Sequence, residues 1–266
     1  MNESDKSHFR AGIVRGQLAE FEQAAILEHF AARVATVEAR INDGKEATVY
    51  LCVTTDGGRL AAKMYRARRF RAFRNDKAYS TPLAHWGKDR RAEKAMKKAT
   101  HKGRDMGQWQ WVAREWRTLE VLHAAGVSVP EPVARCEAGI LMEFIGSRDG
   151  AAPRLHDMLA HGSEPVRVAD LQRWWTSLRD DVVNMLRVDL VHGDLSAYNV
   201  LIANGRPRII DVPQAVDGRS PEALDLLVRD LANLTRPLQQ AGLPGVHDNS
   251  TRFALELYER YRRGRL

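Results

Sequence analysis

Three side chains in the C-terminal half of the chain have the types and the spacing that phosphoryl transfer requires. Asp194 and Asn199 stand five residues apart with apolar residues on both sides, and Asp211 follows Arg208-Ile209-Ile210. One carboxylate can orient an attacking hydroxyl, while an amide oxygen and a second carboxylate can hold Mg²⁺ against phosphates. We therefore predict that Asp194 and Asp211 are catalytic, and that Asn199 and Asp211 bind Mg²⁺ or Mn²⁺.

A lysine inside an apolar strand is the next candidate. Lys63 interrupts the apolar run 60–65, the second strand of a predicted hairpin. A buried lysine requires an anion to offset its desolvation, and ATP phosphates together with a helix carboxylate would supply one. Glu115 and its rival Glu120, both in the helical pattern of residues 109–124, are the candidates for that carboxylate.

Four ordered motifs carry a specific resemblance. Residues 44–50 are Gly-Lys-Glu-Ala-Thr-Val-Tyr, 141–146 are Leu-Met-Glu-Phe-Ile-Gly, 192–201 are His-Gly-Asp-Leu-Ser-Ala-Tyr-Asn-Val-Leu, and 209–217 are Ile-Ile-Asp-Val-Pro-Gln-Ala-Val-Asp. Over roughly residues 37–240 the chain resembles the RIO family of atypical serine/threonine kinases, whose catalytic loop shares the H-x-D-L-x-x-x-N spacing of protein kinases. Pro213 departs from the pattern, which has a small hydroxyl residue there.

The resemblance implies an α+β fold, namely a trimmed bilobal protein-kinase-like fold with a β-rich N-lobe and a shortened, mostly helical C-lobe. A single domain is expected: an N-lobe over residues 1–143 that includes an N-terminal helix and a basic insertion at 66–104, a hinge at 142–146, and a C-lobe over 147–266. Hinge backbone groups would hydrogen-bond adenine. The ATP-binding residues implied in this way are Gly44, Lys45, Glu46, Ala47, Lys63, Glu115, Glu143 and Ile145.

Hydrophobic periodicity places the elements. The chain has 266 residues, 44% of them hydrophobic, enough to bury a substantial core. In the first helix, Phe21 and Phe30 are expected on one apolar face. His192 is expected to pack and hydrogen-bond rather than to act as a general base. The predicted helices are 17–33, 109–124, 166–188, 222–240 and 250–263, and the predicted strands are 34–41, 48–54, 60–65, 133–136 and 140–144.

Charge is concentrated in one segment. Residues 66–104 carry a net charge of +11, whereas the rest of the chain carries −4. Clustered lysine and arginine attract phosphates, so we expect this segment to contact RNA or a ribosomal particle, as the family association with small-subunit rRNA maturation also implies. The alternative is a solvated charged face.

A polar N-terminus and the lack of an apolar run near eighteen residues predict no membrane partner, and two cysteines in apolar runs predict reduced thiols in a cytoplasmic protein.

Several activities are compatible with these residues. In the first, a Ser or Thr hydroxyl attacks ATP and the product is a phosphoprotein, including the enzyme itself. In the second, water or Asp211 receives the phosphoryl group and the protein is an ATPase switch on RNA or a ribonucleoprotein. A small-molecule phosphotransferase of the aminoglycoside type ranks lower, because Ser196 stands where those enzymes usually carry His and because they need a larger C-lobe.

Overall fold

The computed structural model describes residues 20–44, 46–66, 101–162 and 165–266, with the backbone alone for 101–110. The predictions made for Lys45 and for residues 67–100 of the basic segment therefore lie outside the described residues.

A five-stranded antiparallel sheet positions Lys63. Its strands are β1 (Thr36–Asp43), β2 (Ala47–Val53), β3 (Arg59–Tyr65), β4 (Pro132–Arg135) and β5 (Gly139–Glu143), in the order β1-β2-β3-β5-β4. The β-branched and aromatic residues of β2 favour this extended conformation. Lys63 lies opposite Val49 on β2 and Ile140 on β5, in the middle of the sheet.

Helix α1 (Glu20–Phe30) covers one face of this sheet, but not by the face expected from the sequence. Phe21 is 75% exposed, whereas Ile26 and Phe30 pack against sheet residues that include Tyr50 and Cys52. Glu22, one turn before Ile26, explains the orientation, because its Oε1 accepts hydrogen bonds from Tyr50 Oη (2.8 Å) and from an arginine of β1. The prediction that Phe21 shares the apolar face was wrong.

Helix α2 (His101–Ala124) runs beside the sheet and is longer than the predicted 109–124. The end of the basic segment, residues 101–104, is therefore helical. Val112, Leu119 and Leu122 are buried in the larger hydrophobic core, and the intervening turn carries Glu115.

The C-terminal part consists of helices and short strand pairs. The helices are α3 (Leu155–His161), α4 (Val168–Arg187), α5 (Ala223–Gln240) and α6 (Ser250–Arg262). The strands are β6 (Gly146–Ser147), β7 (Gly150–Ala151), β8 (Leu190–Val191), β9 (Val200–Ala203), β10 (Arg206–Ile209) and β11 (Val216–Asp217). β6 pairs with β7, β8 with β11, and β9 with β10. Asp194 and Asn199 thus lie between β8 and β9, and Asp211 lies between β10 and β11.

The two thiols lie within or beside the sheet. Cys52 is fully buried, which raises its pKa to about 12, and Cys136 is half-buried; both are free. Burial of an uncharged thiol under α1 agrees with the predicted core role. Within the described ranges, no helix is long and apolar enough to cross a membrane.

Candidate active site

Lys63 is shared by two carboxylates from different parts of the chain. Its Nζ donates to Glu115 Oε1 on α2 at 2.7 Å and to Asp211 Oδ1 after β10 at 2.6 Å. The Lys63 and Glu115 side chains are 10% and 4% exposed, whereas that of Asp211 is 46% exposed. The lysine therefore joins a buried carboxylate to one that solvent or a ligand can reach.

The charges of this cluster depend on one another. Burial tends to lower the pKa of Lys63, but Asp211 and Glu115 outweigh it and hold that pKa above its usual range. Burial raises the pKa of Glu115 to about 7 against the opposing effect of Lys63. For Asp211, the effect of its partial burial is outweighed by Lys63, so its pKa stays below the usual range. We conclude that Lys63 is a protonated cation facing an ionised Asp211.

The loop between β8 and β9 presents Asp194 and Asn199 together. Asn199 Nδ2 donates to the Asp194 carbonyl oxygen at 2.8 Å and lies 3.4 Å from its carboxylate Oδ2. Burial and the nearby Asp211 raise the pKa of Asp194, against the effects of Arg229 and Asn199. Because the amide nitrogen of Asn199 is used within the loop, its amide oxygen is left as an acceptor.

Two residues of α5 hold the backbone of this loop. Asp230 Oδ2 accepts from the Gly193 amide at 2.7 Å, and Oδ1 accepts from the Leu195 amide at 3.1 Å. Arg229 donates to the Gly193 carbonyl. Asp230 is 2% exposed, and burial raises its pKa to about 7. Asp230 stands in the sequence Arg229-Asp230-Leu231-Ala232-Asn233, which also fits the family resemblance, although no role is predicted for it; an acidic residue on the buried stripe of a helix is a usable signal.

Arg114 of α2 is a second residue that the sequence reasoning missed. Its buried guanidinium donates from Nη2 to the Ala215 carbonyl oxygen at 2.7 Å. The helix that carries Glu115 is therefore also bonded to the segment that follows Asp211.

Gly193 occupies the position where most kinases have an arginine, and the backbone explains why no side chain fits. Its φ of +76° lies in the left-handed region, and a Cβ would lie 2.5 Å from the Gln214 carbonyl oxygen. The absence of a side chain at Gly193 therefore lets the loop of residues 193–199 lie close to the segment that follows Asp211.

His192 is buried, in agreement with the packing role expected of it. Its Nδ1 accepts from the Asp194 amide at 3.3 Å, and its Nε2 lies 3.4 Å from the Ile210 carbonyl oxygen. Burial lowers its pKa to about 4, so the ring is neutral near pH 7.

The loop that contains Gly44 connects β1 to β2. The Gly44 amide donates to the Ala47 carbonyl oxygen at 3.0 Å, and the Glu46 carbonyl oxygen accepts from the Arg66 amide at 2.9 Å. Ala47 pairs with Tyr65, two residues beyond Lys63 on β3, so the loop lies two residues along the strand from the lysine.

At the predicted hinge, the two candidate residues differ. The Glu143 amide donates to the Glu131 carbonyl oxygen at 2.8 Å, so it is not available to a ligand. The Ile145 carbonyl oxygen accepts from the Ala152 amide at 3.0 Å, whereas no hydrogen bond from the Ile145 amide occurs within the described part of the chain. The free backbone donor at this point is therefore Ile145.

No role for Tyr198 is predicted from the sequence. It is 51% exposed between Asp194 and Asn199, and its ring stacks on His156 of α3 with centroids 3.9 Å apart. An exposed aromatic ring thus lies within the loop that carries Asp194 and Asn199.

The oxygens around Asp211 and Asn199 suit a hard cation held with a ligand's help. A carboxylate and an amide oxygen match the preference of Mg²⁺, which retains waters and phosphate oxygens as further ligands. Within the described ranges, no three His, Cys, Asp or Glu side chains form a complete metal cage. The donor set therefore fits a metal that arrives with phosphates rather than a permanently enclosed ion.

Comparison with known proteins gives consistent similarities. Residues 48–251 match the RIO domain. The chain is 33% identical over 217 residues to the RIO-type serine/threonine-protein kinase Rio1 of Haloferax volcanii, covering 80% of this chain and 67% of that protein. It is 32% identical over 228 residues to serine/threonine-protein kinase RIO1 of Chaetomium thermophilum, covering 82% of this chain and 42% of that protein. The chain thus spans less than half the length of that eukaryotic relative.

Solved structures show the same fold. The Rio2 kinase of Chaetomium thermophilum, in a complex with ADP, Mg²⁺ and phosphoaspartate, aligns with a TM-score of 0.55 at 20% identity, covering 91% of this chain and 74% of that one. The Rio2 kinase structure from the same organism aligns with a TM-score of 0.53 at 19% identity. These similarities confirm the predicted α+β, kinase-like fold.

Proposed function

This chain belongs to the RIO family of atypical serine/threonine kinases, and from this premise we propose that it transfers the γ-phosphoryl group of ATP to a serine or threonine hydroxyl, its own included. The observation that carries the proposal is the position of Lys63 between Glu115 and Asp211. A cation fixed in this way is ready to contact phosphates, and Asp194 stands nearby to orient an acceptor hydroxyl.

We assign the roles within the site as follows. Lys63, held by Glu115, contacts phosphates; Asn199 and Asp211 hold Mg²⁺, or Mn²⁺ with the same oxygen ligands. When bound, the metal neutralises charge on the phosphate oxygens. The base lies at the hinge, with the Ile145 amide as donor and the Glu143 backbone beside it. The loop of Gly44, Lys45, Glu46 and Ala47 covers the phosphates.

The same proposal covers the whole chain as a single kinase domain, with an N-lobe over residues 1–143, a hinge at 142–146 and a C-lobe over 147–266. We also propose a cytoplasmic location, which the two free thiols support. A small-molecule phosphotransferase is not favoured, because the similar proteins are named as protein kinases.

The test is incubation with γ-labelled ATP and Mg²⁺, followed by separation of free phosphate from acid-stable and acid-labile protein phosphate. Acid-stable label is expected and indicates transfer to Ser or Thr.

Asp194→Ala should retain ATP binding and lose transfer by about 10²–10⁴-fold, the usual contribution of a positioned acid or base. Lys63→Ala should instead raise the ATP concentration required. Asp180→Ala, an exposed aspartate of α4, is the matched control.

The alternative is an ATPase switch in which water or Asp211 receives the phosphoryl group. The exposed Asp211 carboxylate, and the phosphoaspartate of the similar Rio2 complex, favour retaining it. Acid-labile label that disappears in Asp211→Ala, with no acid-stable label, would replace the kinase proposal by this one.

We propose in addition that the basic segment 66–104 contacts the phosphates of RNA or of a ribosomal particle, on the strength of its net charge of +11. Changing Lys94, Lys97, Lys98 and Lys102 to Gln should weaken binding to structured RNA and make its salt dependence shallower by about one unit per lost contact. Turnover of Mg²⁺-ATP without RNA should change little. The matched control changes four arginines in or beside α4, namely Arg167, Arg173, Arg179 and Arg187, to Gln. Equal RNA binding by the lysine variant and the parent would contradict the proposal.

A further inference from the structure

An arginine outside the proposed catalytic groups connects the two ends of the nucleotide site. Arg208 is on β10, three residues before Asp211. Its partner, Glu143, is the last residue of β5 and lies at the start of the hinge, two residues before Ile145. The pair therefore joins the strand that leads to the metal-binding aspartate with the strand that leads to the proposed adenine contact.

The contact uses both carboxylate oxygens. Arg208 Nη1 donates to Glu143 Oε1 at 3.1 Å, and Nη2 donates to Oε2 at 2.5 Å. The same Nη2 donates to the Val129 carbonyl oxygen at 2.9 Å. Glu143 Oε2 also accepts from the Glu131 amide at 3.2 Å. Paired parallel bonds of this kind fix both distance and orientation, which a single ionic contact does not.

The surroundings make the pair more than an ordinary surface contact. The Arg208 side chain is 25% exposed and that of Glu143 is 37% exposed. Burial tends to raise the pKa of Glu143, but Arg208 and the Glu131 amide outweigh it and hold that pKa below the usual range. The pair therefore stays ionised at neutral pH. It is partly shielded from water and has the bidentate geometry that distinguishes effective ion pairs from weak ones.

Residues 128–131 form a second connection beside it. The Ile209 amide donates to the Ser128 carbonyl oxygen at 2.7 Å, and the Ser128 amide donates to Asp181 Oδ1 on α4 at 2.9 Å. The Glu143 amide donates to the Glu131 carbonyl oxygen. The hinge strand and β10 are thus bonded to the same short segment, and Arg208 contacts both that segment and the hinge strand.

We propose that Arg208 is a positioning residue that fixes the spacing between the adenine-binding backbone of the hinge and Asp211, so that the two ends of ATP are bound simultaneously. This inference rests on the proposed nucleotide site. This role requires no contact between Arg208 and the nucleotide. It acts by holding Glu143 relative to β10.

Fixed spacing has a distinctive consequence. A ligand that reaches both ends gains from having them correctly placed, because binding at one end brings the other into position without further ordering. Ligands that occupy one end alone gain nothing. Loss of Arg208 should therefore weaken ATP binding while leaving the binding of its separate halves unaffected.

The test measures dissociation constants for three probes: Mg²⁺-ATP, adenosine alone, and the Mg²⁺ complex of inorganic tripolyphosphate. In Arg208→Met, ATP should bind about tenfold more weakly, the order expected from a loss of preorganisation, with both half-ligands unchanged. Unchanged ATP binding would overturn the inference, and so would an equal loss for all three probes, which would indicate general damage. If the parent bound no ATP, the proposed function itself would fail, and this inference with it.

Four further variants make the result specific. Arg206→Met, on the same strand but exposed and without an ion pair in the described part of the chain, should bind ATP like the parent. Arg208→Lys, which retains the charge but lacks the bidentate fork, should show an intermediate loss. Glu143→Gln should resemble Arg208→Met, and the double variant should lose no more than either single one, as expected for two partners of one contact. Additive losses would count against the pair as the cause.

Discussion

The neutral state of His192 is set by its burial, and this gives the protein a measurable pH dependence. The folded pKa of about 4 lies below the ordinary value of 6.5. Between these values the unfolded chain binds a proton that the folded chain does not. The associated stability is therefore complete above about pH 6.5 and is lost as the pH falls towards 4.

We expect roughly 3 kcal/mol of unfolding free energy to depend on His192 in this range, from about 1.4 kcal/mol per pKa unit. His192→Gln should therefore show a shallower loss of stability between pH 6.5 and 4.5 than the parent, in denaturant unfolding at each pH. His123→Gln, at an exposed position of α2, should retain the slope of the parent. The raised pKa values of Asp181 and Asp230 change the stability with pH in the opposite direction. Both residues are present in all three proteins, so their contributions cancel when the slopes are compared. Identical slopes for the parent and His192→Gln would contradict this account.

Gly193 and Gly205 form a natural pair for separating backbone strain from steric overlap. Both have positive φ, +76° and +71°, but a Cβ at Gly205 meets nothing within 4 Å, whereas at Gly193 it meets the Gln214 carbonyl. We expect Gly205→Ala to cost about 1 kcal/mol and Gly193→Ala roughly 3 kcal/mol, with loss of turnover in the latter alone. Thermal unfolding and ATP turnover measure the two effects; equal costs would show that the Gln214 contact relaxes freely.

At the scale of elements, α5 acts on the catalytic loop through the Asp230 carboxylate. In Asp230→Asn, the amide nitrogen would face a backbone N–H, so either Gly193 or Leu195 would lose its acceptor, at a cost of about 1–3 kcal/mol. We expect turnover to fall more than ATP affinity, because the loop carries Asp194 and not the base-binding groups. Asp225→Asn, exposed in the first turn of α5, is the control. Steady-state kinetics distinguish the two effects, and a change in KM alone would contradict the expected role.

Site residues could be predicted from the sequence where a charged residue stands within the hydrophobic pattern of a strand or a helix. Lys63 within an apolar strand predicted a buried ion pair, and the resemblance to kinases selected Glu115 as its partner, a contact that the structure contains. The second partner of Lys63, Asp211, was not predicted, because a sequence does not show which anion a lysine takes when phosphate is not bound. Helix α3 was not predicted, because its seven residues are too few to show a clear helical period. Phe21 was misplaced because polar contacts of Glu22, and not apolar periodicity, orient α1.

For the molecule as a whole, the proposed nucleotide site draws its groups from the sheet, from α2 and from the C-terminal loops, so bound ligand should stabilise all of them together. At a ligand concentration 100 times Kd the gain is about 2.7 kcal/mol. We expect ATP without metal to raise the Tm of Asp211→Ala at least as much as that of the parent, and added Mg²⁺ to increase the shift in the parent alone. Asp180→Ala should behave like the parent. A Mg²⁺-dependent shift that persists in Asp211→Ala would place the metal elsewhere.

The sharing of Lys63 between two carboxylates would make nucleotide binding at the proposed site an exchange reaction. Two of the three Nζ donors already bind carboxylates, at 2.6 and 2.7 Å, so a phosphate that takes the place of Asp211 exchanges one ionic bond for another while Glu115 stays in place. The measured affinity is then a difference between two well-compensated states, in which the released Asp211 must find a new counter-charge. Mg²⁺ bound at the proposed site would supply that charge to Asp211 as well as to the phosphates, so the nucleotide and the ion should assist each other's entry.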